Sequence, residues 1–196
     1  MAAELPELLV PDAAAWREWL AEHHADSPGV WLVLHKKGGH VTELAYEVAV
    51  EQALCFGWID GQARRRDAES SCVRFTPRTR TSRWSRSNFA RVQRLEAACL
   101  MTPAGRAPVE AAKSDGRWEQ AYDGPASAVV PDDLAAAIAA VPAAQAMFDV
   151  LTSTNRFSLI YRTQSARKPE TRARRIEEFV EMLANQRTPY PQKRRP

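Results

Sequence analysis

The chain has 196 residues and a formal net charge of +3, with 45% hydrophobic and 26% charged residues. That length is sufficient for a buried core, and the composition is typical of a soluble globular protein. No apolar run approaches the roughly 20 residues of a membrane-spanning helix. The N-terminus lacks the basic start and apolar stretch of a secretory signal, so we expect a cytoplasmic protein without a membrane span.

Charge is strongly segregated along the chain. Residues 61–94 contain ten arginines and two acidic residues, whereas residues 1–60 contain three basic and ten acidic residues. Trp58, Phe75 and Trp84 lie in or beside this arginine block. Arginines next to aromatic residues favour a surface that binds an anionic or flat ligand, although they do not identify it.

The first half of the chain shows the apolar patterns of a small sheet with helices. The predicted elements are a helix from Asp12 to His24, a strand over 30–35, a helix over 46–56, and paired strands at 58–60 and 71–75 joined by the polar residues 64–70. Asp12 is suited to cap the first helix, and Gly57 is suited to end the second.

The second half is predicted to be helical. Ser85 and Thr102-Pro103 are typical helix starts, for helices over 86–100 and 103–113. Further helices are predicted from 131 to 140, 142 to 151, 155 to 166, and from Pro169 onward, where Ile176, Phe179, Val180 and Leu183 form an apolar face.

These patterns together predict an α+β fold: a small, mainly antiparallel sheet packed with helices, followed by a helical C-terminal region. The expected divisions are an α+β core over residues 1–123, a linker over 124–131, a helical region over 132–185 and a disordered tail over 186–196.

Five sequence blocks resemble the YdeI/OmpD-associated family, which is also described as a bacteriocin-protection family. They are EQALCFGWIDGQ, RFTPR, SRWSRSN, MTPAGRAPVEAAKSDGRW and SARKPETRARRI, and the resemblance runs from Trp31 to about Ile176. It implies a role in envelope stress or in protection from antimicrobial peptides, without an established reaction. Ala45 departs from the family pattern, which has Ser or Thr before the helix that begins at Tyr46.

The hairpin contains the first group of candidate binding residues. Alternation along a strand places Trp58 and Asp60 on one face, and Arg74 and Thr76 together on one face of the partner strand. Arg74 could then lie beside Asp60 and hold an anion with its planar guanidinium. The alternatives are that Trp58 packs under a helix and that Asp60 and Arg74 form an internal pair.

The loop after the hairpin contains the second group. Arg78, Arg83 and Trp84 precede Ser85, whose predicted helix N-terminus favours anions, and Asn88 is three residues further on. We expect Arg78 to bind an anion and Trp84 to stack, with Arg83 as a second-tier candidate. The alternative is a solvated basic loop.

Two further second-tier candidates precede the hairpin. Cys55 could act as a nucleophile in an arrangement with His35 and Asp60, and Glu51 is one helical turn away from it. The simpler interpretation is an inert buried cysteine and an exposed glutamate. The sequence has no CxxC pair, no metal-ligand spacing and no phosphate-binding glycine motif, so neither a metal nor a cofactor is expected.

Three functions therefore remain open. The leading hypothesis is a binding protein for a small anionic ligand, linked to stress or antimicrobial-peptide protection. The alternatives are an enzyme that uses Asp60 or Cys55, and a nucleic-acid-binding protein that uses the arginine block over 64–94, for which no motif is present. A protein partner or a homodimer is also compatible with the sequence.

Overall fold

The computed structural model describes residues 4–124 and 127–196. It consists of two compact units, Met1–Ala121 and Tyr122–Pro196. The predicted linker begins close to this division, and its residues Pro125 and Ala126 lie outside the described residues.

Within its described residues, the first unit contains a four-stranded sheet and four helices. Its elements are β1 (Glu7–Leu8), α1 (Ala13–His23), β2 (Val30–His35), α2 (Tyr46–Cys55), β3 (Trp58–Arg65), β4 (Ser70–Pro77), α3 (Arg86–Ala97) and α4 (Pro103–Ser114). The strand order is β1-β2-β4-β3, in which β1 pairs parallel to β2 and the other pairs are antiparallel. The predicted α+β class with a mainly antiparallel sheet is therefore confirmed.

The two faces of the sheet differ because side chains alternate along each strand. One face contributes Leu32, Trp58 and Phe75 to the core, where Trp16 of α1 lies edge-on to Trp58 and Phe75. The opposite face carries Trp31 and Arg74, which are register partners on β2 and β4. The aromatic cluster consequently attaches α1 to the sheet.

The β3–β4 hairpin is longer than predicted. Residues 64–70 were expected to connect the strands, but β3 continues to Arg65 and β4 begins at Ser70. Asp67 makes the short turn possible, since its side chain accepts hydrogen bonds from the backbone N–H groups of Glu69 and Ser70. A turn closed by an aspartate side chain needs fewer residues than the connection predicted over 64–70.

Side-chain caps fix the starts of several helices. Asp12, Ser85 and Thr102 each accept a backbone N–H from three residues further on, as the sequence predicts. Ala45, at the position where the family pattern has Ser or Thr, makes no side-chain cap hydrogen bond. The helix α2 therefore begins without this stabilisation.

The part of the second unit that the structure describes contains four helices, α5 (Asp132–Ala139), α6 (Pro142–Asp149), α7 (Ser153–Gln164) and α8 (Pro169–Ala184). Their core includes Leu134, Met147, Leu159, Phe179 and Leu183. None of the helices in the described part of either unit is long and apolar enough to cross a membrane.

The tail after α8 forms neither helix nor strand. It nevertheless contacts the start of α7, because buried Asn155 donates to the carbonyl oxygen of Tyr190 and to the side chain of Gln192. Disorder of residues 186–196 stays a prediction, and these hydrogen bonds are the contacts that it would have to break.

We predict that Gly57→Ala destabilises the first unit far more than Gly116→Ala. Both glycines have φ of +77°, but a Cβ at Gly57 would lie 2.6 Å from the Ala104 carbonyl oxygen, whereas one at Gly116 meets nothing within 4 Å. We expect the free energy of unfolding to fall by about 1 kcal/mol in Gly116→Ala and by about 3 kcal/mol in Gly57→Ala. The loss is larger in Gly57→Ala because overpacking is added to backbone strain.

Urea unfolding followed by tryptophan fluorescence measures this difference. All six tryptophans lie between residues 16 and 118, so the signal reports the first unit. Equal losses for the two variants would mean that Gly57 is needed only for its backbone conformation and not for the contact with α4.

Candidate functional site

Three of the blocks that carry the family resemblance meet around one pocket in the first unit. The pocket has a volume of about 640 Å³, within the usual range for small-molecule sites. Its lining residues come from the end of α1, the α2–β3 junction, the end of β4 with the loop after it, and α4 with the turn after it. They are His24, Phe56, Gly57, Trp58, Pro77, Arg78, Thr79, Arg80, Ala104, Ala107, Pro108, Ala111, Ser114, Asp115 and Arg117.

The apolar part of the pocket has a fixed geometry. Trp58 is fully buried, and its indole N–H donates to the carbonyl oxygen of His24 at 3.1 Å. The side chain of His24 packs against Phe56, with ring centroids 5.4 Å apart. The face of α4 that lines the pocket carries alanines and Pro108, whose small side chains leave room for a ligand.

Arg78 is positioned by the residues that follow it. Its guanidinium lies 3.5 Å from the ring centroid of Trp84 and donates to the carbonyl oxygen of Arg83 at 3.2 Å. Its backbone N–H donates to the carbonyl oxygen of Gly57 at 2.9 Å. A guanidinium stacked on an indole loses little conformational freedom when it binds an anion, which makes Arg78 a preorganised pocket residue.

Arg117 contributes a second ordered guanidinium. It donates to the carbonyl oxygen of Ser82 at 3.0 Å and pairs with Asp115 at 2.8 Å, and its side chain is 17% exposed. The hydrogen bond from Arg117 holds the pKa of Asp115 below its usual range, and the charge of Arg80 acts in the same direction. The pocket thus contains three guanidinium groups and one carboxylate.

Asp60 and Arg74 are not brought together. Asp60 is the register partner of Phe75 on the helix-covered face, and it accepts a hydrogen bond from the Tyr46 hydroxyl at 2.7 Å. Burial and then this carboxylate raise the pKa of Tyr46. Arg74 and Thr76 lie on the opposite face, since they alternate with Phe75 along β4. The expected pairing across the hairpin is wrong because the register sets these residues on different faces.

Trp84, Ser85 and Asn88 order the start of α3 instead of lining the pocket. Trp84 is 2% exposed, so its indole is available to Arg78 but not as an open stacking surface. Ser85 caps the helix through the backbone N–H of Asn88, and the Asn88 side-chain oxygen accepts from Arg91. Trp58, with 0% exposure, is likewise a core residue.

Much of the arginine block is neutralised by acidic residues from the first sixty positions. Arg64 and Arg66 pair with Glu7. On α3, Arg91 pairs with Glu47, and Arg94 pairs with Glu51 at 2.6 Å. Glu51 is therefore an ion-pair partner between helices. Four of the ten arginines of the block thus pair with acidic residues, and Arg78 and Arg80 are its members at the pocket.

Cys55 has the environment of a structural cysteine. It is fully buried, and burial raises the pKa of its thiol, although Arg17 acts in the opposite direction. His35 hydrogen-bonds to the backbone of Thr42 and Asp60 to Tyr46, so the suggested arrangement of Cys55, His35 and Asp60 is not formed. The backbone carbonyl oxygen of Cys55 accepts a hydrogen bond from the Thr102 hydroxyl at 2.6 Å.

The sequence interpretation missed most of the pocket. His24 lies at the end of α1, Arg80 is one of the ten arginines of the block over 61–94, and Arg117 lies in the block KSDGRW. The one available signal was the recurrence of Ala104, Ala107 and Ala111 on one face of α4, in a block that also carried the resemblance. Among the described residues, no group of three or more His, Cys, Asp or Glu side chains could hold a metal ion.

Two family models match the chain. The model for a domain of unknown function, DUF8412, matches residues 8–108, and the model described as "Bacteriocin-protection, YdeI or OmpD-Associated" matches residues 127–186. The chain belongs to the family of the DUF8412 model, which covers just over half of it, and its residues 127–186 match the YdeI/OmpD-associated family. The suspected YdeI/OmpD-associated family is thereby confirmed.

The two matches cover different units of the chain. The YdeI/OmpD-associated match covers most of the second unit, whereas GWIDG and RFTPR lie in the DUF8412 segment. Neither the curated proteins nor the solved structures contain a match to the chain.

We predict that Cys55 reacts slowly with a thiol reagent at neutral pH, because it is buried and its pKa is raised. Cys99 is exposed and serves as the internal control. Mass spectrometry after a timed iodoacetamide pulse should find label on Cys99 alone in the native protein, and on Cys55 and Cys72 only after unfolding. Labelling of Cys55 as fast as Cys99 would restore the thiol-enzyme hypothesis.

Proposed function

We propose that the chain is a cytoplasmic binding protein for a small anionic ligand, and that this binding serves the protective role in the family description. The ligand has a compact apolar or planar body and a carboxylate or phosphate group. It binds in the pocket between β3, the loop after β4, and α4. The proposal rests on one observation: Arg78, Arg80 and Arg117 line a pocket of about 640 Å³ that contains a single carboxylate.

Charge and shape support this class of ligand. Three guanidinium groups and one carboxylate leave an excess of positive charge, and arginine forks match carboxylate and phosphate oxygens. The other lining groups are largely apolar and come from Phe56, Trp58, Pro77 and α4. A free inorganic ion would leave most of this apolar lining unused, so a ligand with an apolar body is favoured.

The proposal changes the set of binding residues that we expected from sequence. Trp58 and Arg78 remain, as a wall and an anion-binding group. Asp60, Trp84, Ser85 and Asn88 support the fold around the site through the contacts described above. Arg74 and Thr76 lie on the other face of the sheet and have no part in this proposal.

We predict that Arg80→Gln weakens ligand binding about tenfold while the unfolding free energy changes little. Arg80 is exposed, so its removal leaves no buried partner group, and a charge-assisted hydrogen bond contributes roughly 1.5–3 kcal/mol. Arg106→Gln is the matched control, because Arg106 is an exposed arginine on α4 that does not line the pocket.

The measurement is a thermal-shift screen followed by calorimetric titration of each stabilising compound. The probes are inorganic phosphate, sugar phosphates, nucleoside monophosphates, aromatic carboxylates and short oligonucleotides. A compound at 100 times its Kd stabilises the protein by about 2.7 kcal/mol. Equal losses for Arg80→Gln and Arg106→Gln, or no stabilisation by any small anion, would contradict the proposal.

Salt dependence separates the small-anion hypothesis from the nucleic-acid alternative. Oligonucleotide binding through many phosphates loses affinity steeply as salt rises, in proportion to the number of phosphate contacts. For a small anion held by two or three arginines, affinity should fall only slightly as the salt concentration rises. A steep slope that is reduced by Arg65→Gln as well as by Arg80→Gln would favour nucleic acid.

A further inference from the structure

We infer that the second unit has a docking groove for a basic amphipathic helix. The groove lies along α8 and the end of α5 and has a volume of about 420 Å³. Its lining residues are Ala137, Val141, Ile176, Glu177, Val180, Glu181 and Ala184. This surface is separate from the proposed anion pocket and does not depend on it.

The apolar floor of the groove follows from the helical repeat. Ile176, Val180 and Ala184 are spaced by four residues on α8, and Ala137 and Val141 have the same spacing on the other side. Residues spaced by four form a continuous row along a helix, and two such rows side by side form the apolar floor of the groove. Val141 and Val180 are only partly buried, although they pack against the core of this unit.

The length and depth of the groove fit a short helix. From Ile176 to Ala184 the row extends about 12 Å, which is roughly two helical turns. The alanines Ala137 and Ala184 have small side chains, so the backbone of a docked helix can approach closely there. A partner helix would place two or three apolar side chains, spaced by three or four residues, along this floor.

The rim of the groove, formed by Glu177 and Glu181, determines the charge of the partner that fits. Glu177 and Glu181 form a second row of four-residue spacing beside the apolar row, and no basic residue is among the described residues that line the groove. The rim already accepts a guanidinium: Arg187 lies 3.5 Å from Glu181, with both side chains more than 60% exposed. An ion pair so exposed is weak and readily exchanged for one from a partner. A helix with lysines or arginines beside its apolar row therefore complements the groove.

The test uses the full chain and a fluorescent amphipathic peptide of leucine and lysine, with leucines spaced by three and four residues. A scrambled peptide of identical composition controls for charge alone. Fluorescence anisotropy should show binding of the amphipathic peptide that Val180→Asp weakens at least tenfold, because it places a charge on the apolar floor.

Charge reversal tests the rim. Glu181→Lys should weaken binding of the lysine peptide and strengthen binding of a leucine–glutamate peptide. Glu178→Lys is the matched control, since Glu178 lies on the same helix, is exposed and does not line the groove. Circular dichroism establishes that each variant keeps its helix content.

Three outcomes overturn the inference. The first is equal binding of the amphipathic and scrambled peptides. The second is equal effects of Glu178→Lys and Glu181→Lys. The third is a concentration-dependent dimer in sedimentation that Val180→Asp converts to monomer, which would make a second copy of the chain the occupant of the groove.

Discussion

The first unit depends on a close contact between the end of α2 and the start of α4. A Cβ at Gly105 would lie 2.2 Å from the carbonyl oxygen of Cys55, and that same oxygen accepts hydrogen bonds from the hydroxyl and the backbone N–H of Thr102. Gly57 approaches Ala104 in the same way. These contacts leave no room for side chains at the two glycines, and they hold α4 beside the hairpin. The pocket exists because this junction sets the distance between its two walls.

Acidic residues of the first sixty positions pair with four arginines of the block. Glu7, Glu47 and Glu51 each accept a guanidinium from the arginine block. Exposed ion pairs of this kind contribute little to stability, with typical values of about 0–1 kcal/mol. Their larger effect is on the electrostatic field, because they cancel positive charge along β3 and α3. The residues that line the pocket include Arg78, Arg80 and Arg117 with one carboxylate, Asp115, and the proposed small anion rests on this set rather than on the whole arginine block.

Local signals in the sequence predicted the elements well, whereas the site required long-range information. Asp12, Ser85 and Thr102 define helix starts through contacts only three residues long, so their roles can be predicted from neighbours alone. The register of β3 on β4 cannot be predicted from neighbouring residues alone, since a shift of one residue moves every side chain of the strand to the other face. That register separates Asp60 from Arg74. The burial of Trp58 and Trp84 likewise depends on residues distant in sequence, since Trp16 and Trp19 of α1 pack on Trp58 and Trp118 packs on Trp84. No spacing within the motifs determines these contacts.

The two family matches cover different parts of the chain, and each part contains one of the two proposed sites. The segment with the bacteriocin-protection description contains the apolar groove of α8 with its two glutamates, and the proposed anion pocket lies in the unit that carries the DUF8412 match. Under the two proposals, the groove takes a basic partner and the pocket takes an anion. A protective effect in cells could therefore come from either unit. Variants confined to one unit, such as Arg80→Gln and Val180→Asp, separate the two contributions, because each changes one surface and leaves the residues of the other untouched.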